Sequence, residues 1–174
     1  MLSVGYDMYL KLLEEAVLTE QGQTPPKRTE CSADLSVAAS IPDRYVPSPE
    51  QRMDLYRRIA RIRSEAEADD LVDELVDRYG DPPRTVNNLI SVALLRAAAS
   101  QAGVTDIAQK KGQLVFTLDQ FNLEQFSALC ADPKFKDRLL LIPGDVPRFT
   151  LRLRSGDEPL RTAQALISAF SALG

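Results

Sequence analysis

The chain has 174 residues, of which 44% are hydrophobic and 26% are charged, and its formal net charge at pH 7 is -4. This composition is typical of a folded globular protein, and the acidic balance argues against a general attraction to nucleic acid or to an anionic membrane. The sequence contains no histidine. That absence removes the most common general base and the most common zinc ligand, so an enzyme would have to use carboxylates or lysine.

The sequence indicates neither a signal peptide nor a membrane span. Residues 1–9 lack a basic segment and a small-residue cleavage site, and no apolar run approaches the ~18 residues that a membrane helix needs. The two cysteines, Cys31 and Cys130, do not form a metal-binding spacing. We therefore expect free thiols in a reducing compartment and a cytoplasmic location.

The first 33 residues are predicted to form a helix and a linker. Apolar side chains recur near helical spacing through residues 3–18, whereas residues 19–33 are polar, contain two prolines and show no periodicity. A helix that packed inside this domain would not need so long a linker behind it, so we expect its packing partner in another part of a longer chain. Packing onto this chain's own surface is the alternative.

A strand and a helix are predicted next. Residues 34–41 alternate between apolar and polar side chains, which is typical of a half-buried strand that ends at Pro42. The helix that follows has Ser48 as its N-cap and Pro49 at its first position, and it extends to about residue 63.

The stretch DELVDRYGDPPRTVNNLISVALLR, residues 73–96, holds parts of two helices with a stop between them. The first helix begins after the N-cap Ser64 and ends at Gly80, where a left-handed backbone is cheap only for glycine. The two prolines beyond it prevent continuation, and the second helix covers about residues 83–101. The buried side of the first helix is predicted to consist of Leu71, Leu75, Val76 and Tyr79.

The remaining sequence predicts two hairpins, each followed by a helix. Residues 104–118 read as two strands around a turn at Gly112, and Asn122 caps a short helix that contains Leu123. Residues 138–154 read as a second hairpin, and residues 160–173 as a final amphipathic helix. This order predicts an α+β fold, in which helices pack on a small antiparallel sheet or sheets.

Three arginines are predicted on the outward face of the last strand, opposite Phe149 and Leu151, and these are Arg148, Arg152 and Arg154. A charged strand face that prevents edge pairing is the preferred interpretation. Contact with phosphates is the alternative, although no exposed aromatic residue accompanies the arginines to stack on bases. Earlier in the chain, Arg58 is expected on a solvated helix face with Asp54 as its partner.

Known catalytic and nucleotide-binding motifs are absent. The sequence contains no GxxxxGK[ST], GxGxxG, GxSxG, HExxH or CxxC. We therefore predict no catalytic, cofactor-binding or metal-binding residue in this chain.

The acidic segment SEAEADDLVDELVD, residues 64–77, has three interpretations. Its carboxylates could line a solvated helix face, or hold a divalent cation, as in a metal-dependent hydrolase built on Asp70, Glu74 and Asp77. The third interpretation is a docking surface for a basic partner, because a cationic partner would relieve the repulsion between carboxylates one helical turn apart. The predicted docking residues are Glu74 and Asp77, with Asp70 and Asp73 as helpers.

Three stretches resemble the transcription-repair coupling factors of bacteria. VGYDMYLKLLEEAV is similar to the segment that follows the helicase core in that family, and IPDRYVPSPEQRMDLYRRI is similar to the entry to its C-terminal domain. ELVDRYGDPPRTVNNLISVALLRAAASQAGV resembles the most recognisable part of that domain. The resemblance covers nearly the whole chain and is strongest over residues 34–104.

The resemblance implies a regulatory role. The family is a DNA translocase that displaces stalled RNA polymerase and recruits the excision-repair A subunit (UvrA); its ATP- and magnesium-dependent motor domains would lie outside this chain. The C-terminal domain would be non-enzymatic, and would dock on the N-terminal module resembling the repair B subunit, mask the UvrA-binding surface and restrain the motor until polymerase is engaged. Residues 1–33 would belong to the motor junction, and residues 34–174 would form the regulatory domain. A DNA-contacting accessory domain that uses Arg148, Arg152 and Arg154 is the alternative.

Overall fold

The computed structural model describes residues 31–173, so the helix predicted for residues 3–18 lies outside the described residues. The described chain is α+β, as predicted. Its helices are α1 (Pro49–Ala60), α2 (Glu65–Tyr79), α3 (Arg84–Gln101), α4 (Leu123–Ala131) and α5 (Pro159–Ala172). Its strands are β1 (Ser32–Asp34), β2 (Val104–Lys110), β3 (Gln113–Leu118), β4 (Leu139–Ile142) and β5 (Arg148–Arg152).

The helix starts predicted from the sequence are confirmed. The Ser48 hydroxyl in α1, the Ser64 hydroxyl in α2 and the Asn122 carboxamide oxygen in α4 each accept the backbone amide of the third helical residue. The donors are Gln51, Glu67 and Gln125. Each bond satisfies one of the amide groups that have no partner inside the helix. At the end of α2, Gly80 adopts a φ of 84°, so the predicted glycine stop is also present.

The strands form one mixed sheet with the order β1-β2-β3-β5-β4. The two predicted hairpins, β2–β3 and β4–β5, are antiparallel, but β1 pairs with β2 in parallel. The prediction of purely antiparallel pairing is therefore wrong for β1. No turn signal could have revealed this pair, because three helices separate the two strands in the chain.

The strand predicted for residues 34–41 is also wrong, because β1 ends at Asp34. The alternating burial is nevertheless real: Leu35 and Ile41 are buried, and Ser36 between them is exposed. The backbone amides of this extended segment find other partners, since Ser36 donates to a glutamine side chain and Ile41 donates to the Tyr56 hydroxyl at 2.8 Å. Alternation thus reports an extended chain with two unlike sides, and it does not by itself report a neighbouring strand.

The arginine-bearing strand β5 is not an edge strand. It lies between β3 and β4, so Arg148 and Arg152 cannot prevent edge pairing, and that interpretation is wrong. Thr150, which lies between the two arginines on the same side of the strand, is buried. The outer strand is β4, the first strand of its hairpin, and chain order alone does not tell which strand of a hairpin will be the outer one.

The described residues divide into two compact units, one of residues 37–97 and one of residues 31–36 with 98–173. The core of the first unit gathers apolar side chains from α1, α2, α3 and the segment before α1. The core of the second contains Phe116 stacked on Phe149 at 5.0 Å, with Phe126 and Phe170 against the same ring. Helices α4 and α5 therefore cover the Phe149 face of the sheet. The proposed division between residues 33 and 34 stays a prediction.

Val76, which the sequence predicts to be buried in α2, is exposed. Leu71 and Leu75 are buried as predicted, but Val76 is 40% exposed, and Leu123 at the start of α4 is 65% exposed. Helical periodicity gives the direction of the buried stripe, whereas its width depends on how closely the neighbouring elements approach.

Candidate docking surface

Helix α2 carries the four predicted docking carboxylates on two different sides. Asp73 and Asp77 are one turn apart and exposed, in line with Asp69 one turn earlier. Asp70 and Glu74, also one turn apart, line an open cleft against α1. The structure therefore brings the four residues onto one helix but separates them into an outer pair and a cleft pair.

Glu74 is held by two arginines of its own unit. Arg58 of α1 donates through Nη1 to Glu74 Oε2 at 2.5 Å and through Nη2 to Oε1 at 3.2 Å. Arg78, one turn further along α2, lies 3.5 Å from the same carboxylate. The hydrogen bonds from Arg58, reinforced by the charges of both arginines, hold the pKa of Glu74 below its ordinary value of 4.5. A basic partner that reached Glu74 would have to compete with both arginines.

The outer carboxylates have no such partner within residues 31–173. Asp69, Asp73 and Asp77 are exposed, and none of them forms an ion pair in the part of the chain that the structure describes. Three like charges at successive turns repel one another by a few tenths of a kcal/mol per pair. The exposed Val76 is on the same helix, one residue before Asp77. This outer face is thus anionic, uncompensated and bordered by one apolar side chain.

The cleft between α1 and α2 has a volume of about 380 Å³ and mixed charge. Its charged lining consists of Arg58, Arg61, Glu67, Asp70 and Glu74. Glu67 accepts the backbone amide of Arg63, the residue before the N-cap Ser64, at 2.7 Å, which holds the start of α2. Two arginines of α1 and its C-terminal end face three carboxylates of α2 in this cleft, so its net field is weaker than that of the outer face.

The orientation of α2 is fixed by Tyr45. Its hydroxyl donates to the carbonyl oxygen of Gly80 at 2.8 Å, and the carbonyl of Leu75 is 3.4 Å away. Its ring lies 5.7 Å from that of Tyr79, over which the Arg78 guanidinium is placed at 5.1 Å. Burial, followed by the charge of Asp81, raises the pKa of the Tyr45 phenol. Tyr45 therefore remains a hydrogen-bond donor at neutral pH and caps the carbonyl end of α2.

No group of three or more cysteine, aspartate or glutamate side chains among residues 31–173 is arranged to hold a metal ion. The cluster of Asp70, Glu74 and Asp77 is divided between the cleft and the outer side of α2, and Glu74 already accepts from Arg58. A hydrolytic metal centre on these residues has no support in this geometry. Cys31 is buried, Cys130 is half-buried, and both are free thiols.

The C-terminal arginines differ from one another. Arg148 and Arg152 are exposed at the two ends of β5, and Arg154 is exposed beyond it. Arg138, by contrast, is buried and donates to the carbonyls of Lys134 and Arg152 and to the carboxylate of Asp157. It ties three segments of its unit together and is unavailable to a partner.

Sequence reasoning missed both arginine pairs. It assigned Asp54 to Arg58, but the hydrogen-bonded partner is Glu74, and Asp54 contributes only electrostatic attraction. An i,i+4 pair can be read from one helix, whereas the pairing of Arg58 with Glu74 depends on how α1 and α2 pack. For Arg138 a signal did exist, since an arginine next to a run of leucines is often at the boundary of a core.

No helix among the described residues is long and apolar enough to cross a membrane. The family model of the TRCF domain matches residues 35–129. The transcription-repair-coupling factor of Myxococcus xanthus is 39% identical over 115 residues, which are 66% of this chain and 10% of that protein. That of Staphylococcus haemolyticus is 32% identical over 127 residues, 72% of this chain and 11% of that protein.

The fold also matches a crystal structure of the C-terminal domain of transcription-repair coupling factor. The TM-score is 0.70 at 17% identity, and the match covers 83% of this chain and 93% of the solved one. The chain spans about a tenth of the length of the curated relatives that it matches. No catalytic domain is evident in this chain. Because the family model matches more than half of the chain, the chain belongs to the TRCF domain family.

Proposed function

We propose that this chain is a regulatory interaction domain of a transcription-coupled DNA repair translocase, and that it acts by docking rather than by catalysis. Its partner would be the N-terminal, repair-B-like module of the same longer protein. In the docked state it would mask the surface that recruits UvrA and restrain the motor. Engagement of RNA polymerase would release it. ATP hydrolysis, with its magnesium, would belong to other domains of the cytoplasmic parent protein.

The observation that carries this proposal is the outer face of α2. Asp69, Asp73 and Asp77 present three carboxylates without an ion pair among residues 31–173, on a helix held in place by Tyr45. Uncompensated charge on a rigid element is well suited to a partner of opposite charge, because little ordering is needed on binding. The relatives are named transcription-repair-coupling factors, and that name indicates the process in which such docking would act.

The mechanism is competition between an internal contact and an external partner. A tethered domain can reach an effective concentration on the order of mM, so a weak contact is enough to keep the site closed. Because the contact is between exposed charges, it is screened by salt and easily reversed. Glu74 would have a secondary part, since it must exchange Arg58 for a partner's cation.

The test is calorimetric binding of this chain to the N-terminal module of the same protein, at low and high salt. A variant with Asp73→Lys and Asp77→Lys should lose binding by about tenfold or more, because two attractions become repulsions. The matched control carries Asp119→Lys and Asp145→Lys, two exposed carboxylates of the other unit, and changes the net charge equally. It should retain binding.

Equal loss in both double variants would show only nonspecific attraction to the total charge. Absence of wild-type binding at about mM concentration would contradict docking by this domain alone. Duplex DNA serves as a second titrant, because the alternative function through Arg148, Arg152 and Arg154 predicts DNA affinity that falls with salt. The glutamine variants of the three arginines would then remove it.

A further inference from the structure

The outer strand β4 is short, but it carries no charged residue, no proline and no bulge. Its four residues are Leu139, Leu140, Leu141 and Ile142, without a charge or a proline. Leu140 is 67% exposed and Leu141 is 40% exposed. Natural edge strands usually carry a lysine, a proline or a bulge, because their outward backbone groups pair readily with another strand. An uncharged apolar edge is the arrangement that receives an added strand.

The two leucines lie on opposite faces of the sheet. Leu141 pairs with Phe149, whose ring packs on α4 and α5, so Leu141 is on the helix-covered face. Leu140 pairs with Thr150, which lies between Arg148 and Arg152 along β5. Leu140 is therefore on the second face, with those two arginines. An added strand would contact an exposed leucine on each face.

Cations surround this edge. Arg148 and Arg152 are exposed on the Leu140 face, and neither forms an ion pair within the described range 31–173. Lys134 and Lys136 are exposed in the turn before β4. An added strand would lie about 9.6 Å from β5, at twice the strand spacing, which an arginine and a glutamate side chain together can span. Asp137 and Asp145 are also exposed in the turns on either side of β4, but the four cations outnumber them. The edge is thus an apolar strip with net positive surroundings.

A second copy of the chain fits this edge less well than an acidic peptide does. Antiparallel pairing of two β4 strands would bring the Arg148 end of one copy beside the Arg152 end of the other, so like charges would meet. The paired length would be roughly 13 Å, well below what an interface of about 800 Å² per partner needs. The charges favour a partner that supplies carboxylates.

We propose that β4 is a docking site for an extended peptide segment, with apolar residues opposite Leu140 and Leu141 and carboxylates flanking them, which adds to the sheet as a sixth strand. Backbone hydrogen bonds along β4 supply the pairing, and the two leucines supply apolar contact. Arg148 and Arg152 select an acidic partner over a basic one. The site is independent of the proposed docking through α2, because it lies in the other unit.

The probe is a capped octapeptide with four central valines and isoleucines and two glutamates at each end. A second octapeptide has lysines in place of the glutamates. Binding is measured by fluorescence anisotropy, and backbone pairing by hydrogen exchange of residues 139–142. At low salt the glutamate peptide should bind about tenfold or more tightly than the lysine peptide, and it should slow exchange in β4.

Leu140→Asp should weaken binding of the glutamate peptide about tenfold, because it removes apolar contact and adds a like charge at the edge. The matched control is Leu123→Asp, at a position of nearly equal exposure, 65% against 67%, at the start of α4. It adds the same charge away from the edge and should leave binding unchanged. A variant with Arg148→Gln and Arg152→Gln should reduce the preference between the two peptides severalfold, and Lys134 and Lys136 account for what remains.

Three results would overturn the proposal. The first is equal affinity for the two peptides, and the second is equal loss in the Leu140→Asp and Leu123→Asp variants. The third is absence of peptide binding. If the chain then self-associates in sedimentation equilibrium and Leu140→Asp abolishes this association, the edge belongs to a second copy.

Discussion

Two arginine–carboxylate pairs in this chain have the same closest separation, 2.5 Å, and different surroundings. In the first unit, Arg58 and Glu74 join α1 to α2, and each side chain is 39% exposed. In the second unit, Arg138 is 7% exposed and Asp157 is 28% exposed. A distance alone would rank the two pairs as equals.

The number of groups that depend on each arginine separates them. Arg58 gives both terminal nitrogens to one carboxylate, which water can also solvate. Arg138 donates to Asp157 and to two backbone carbonyls, and Asp157 in turn accepts the backbone amide of Arg154. Removing Arg138 would leave several polar groups without a partner inside the protein, whereas removing Arg58 would leave one that water reaches. The first pair is exchangeable, and the second is structural.

The largest effect is therefore expected for Arg138→Met, which keeps the side-chain volume and removes the guanidinium. We expect the free energy of unfolding to fall by about 3 kcal/mol, because a partly buried carboxylate and two carbonyls lose their donor. Urea unfolding followed by circular dichroism would show this as a lower midpoint with an unchanged slope.

Arg148→Met is the matched control. Because Arg148 is exposed, its loss should change the free energy of unfolding by less than about 0.5 kcal/mol. Similar midpoints for the two variants would mean that water replaces the Arg138 hydrogen bonds, and the contrast between the two pairs would disappear.

An intermediate effect is expected for Tyr45→Phe in the first unit. If the Arg58–Glu74 pair is exchangeable, another contact must hold the end of α2, and the Tyr45 hydroxyl bonded to Gly80 is that contact. Its loss should cost about 1 kcal/mol, the usual value for one neutral hydrogen bond. Urea unfolding is again the measurement.

Tyr79→Phe is the matched control for Tyr45→Phe. The Tyr79 hydroxyl donates to the side chain of Gln51, which can turn to water when the bond is lost, whereas the Tyr45 hydroxyl donates to a backbone carbonyl at the end of α2. Removal of the Tyr79 hydroxyl should therefore cost less than removal of the Tyr45 hydroxyl. The reverse order would show that Tyr45 does not anchor α2.

Features set by neighbours in sequence could be predicted, and features set by packing could not. The caps at Ser48, Ser64 and Asn122 and the stop at Gly80 follow from local hydrogen bonding and backbone strain, and all four are present. The parallel pairing of β1 with β2 depends on contacts across three helices, and the sequence does not contain a signal for it.

The docking residues show the same division. The sequence could place Asp70, Asp73, Glu74 and Asp77 on one acidic helix, because helical spacing is local. It could not tell that Glu74 faces Arg58 while Asp73 and Asp77 face outward, since that depends on the packing of α1 against α2. Whether these residues bind a partner stays a prediction.

The smallest expected effect concerns the pH dependence of the Glu74 pair. The hydrogen bonds from Arg58 lower the pKa of Glu74 in the folded state below its ordinary value of 4.5, so the folded state favours the ionised carboxylate. The stabilisation is therefore present above pH 4.5 and is lost as the pH falls through the lowered pKa. Glu74→Gln should lower the urea midpoint slightly at pH 7, and its difference from wild type should shrink in acid.

In an Arg58→Gln background, most of that difference should vanish at every pH, because the main donor to Glu74 is gone. If instead the difference persists there, the stabilisation comes from Arg78 on the same helix, and Glu74 does not link α1 to α2.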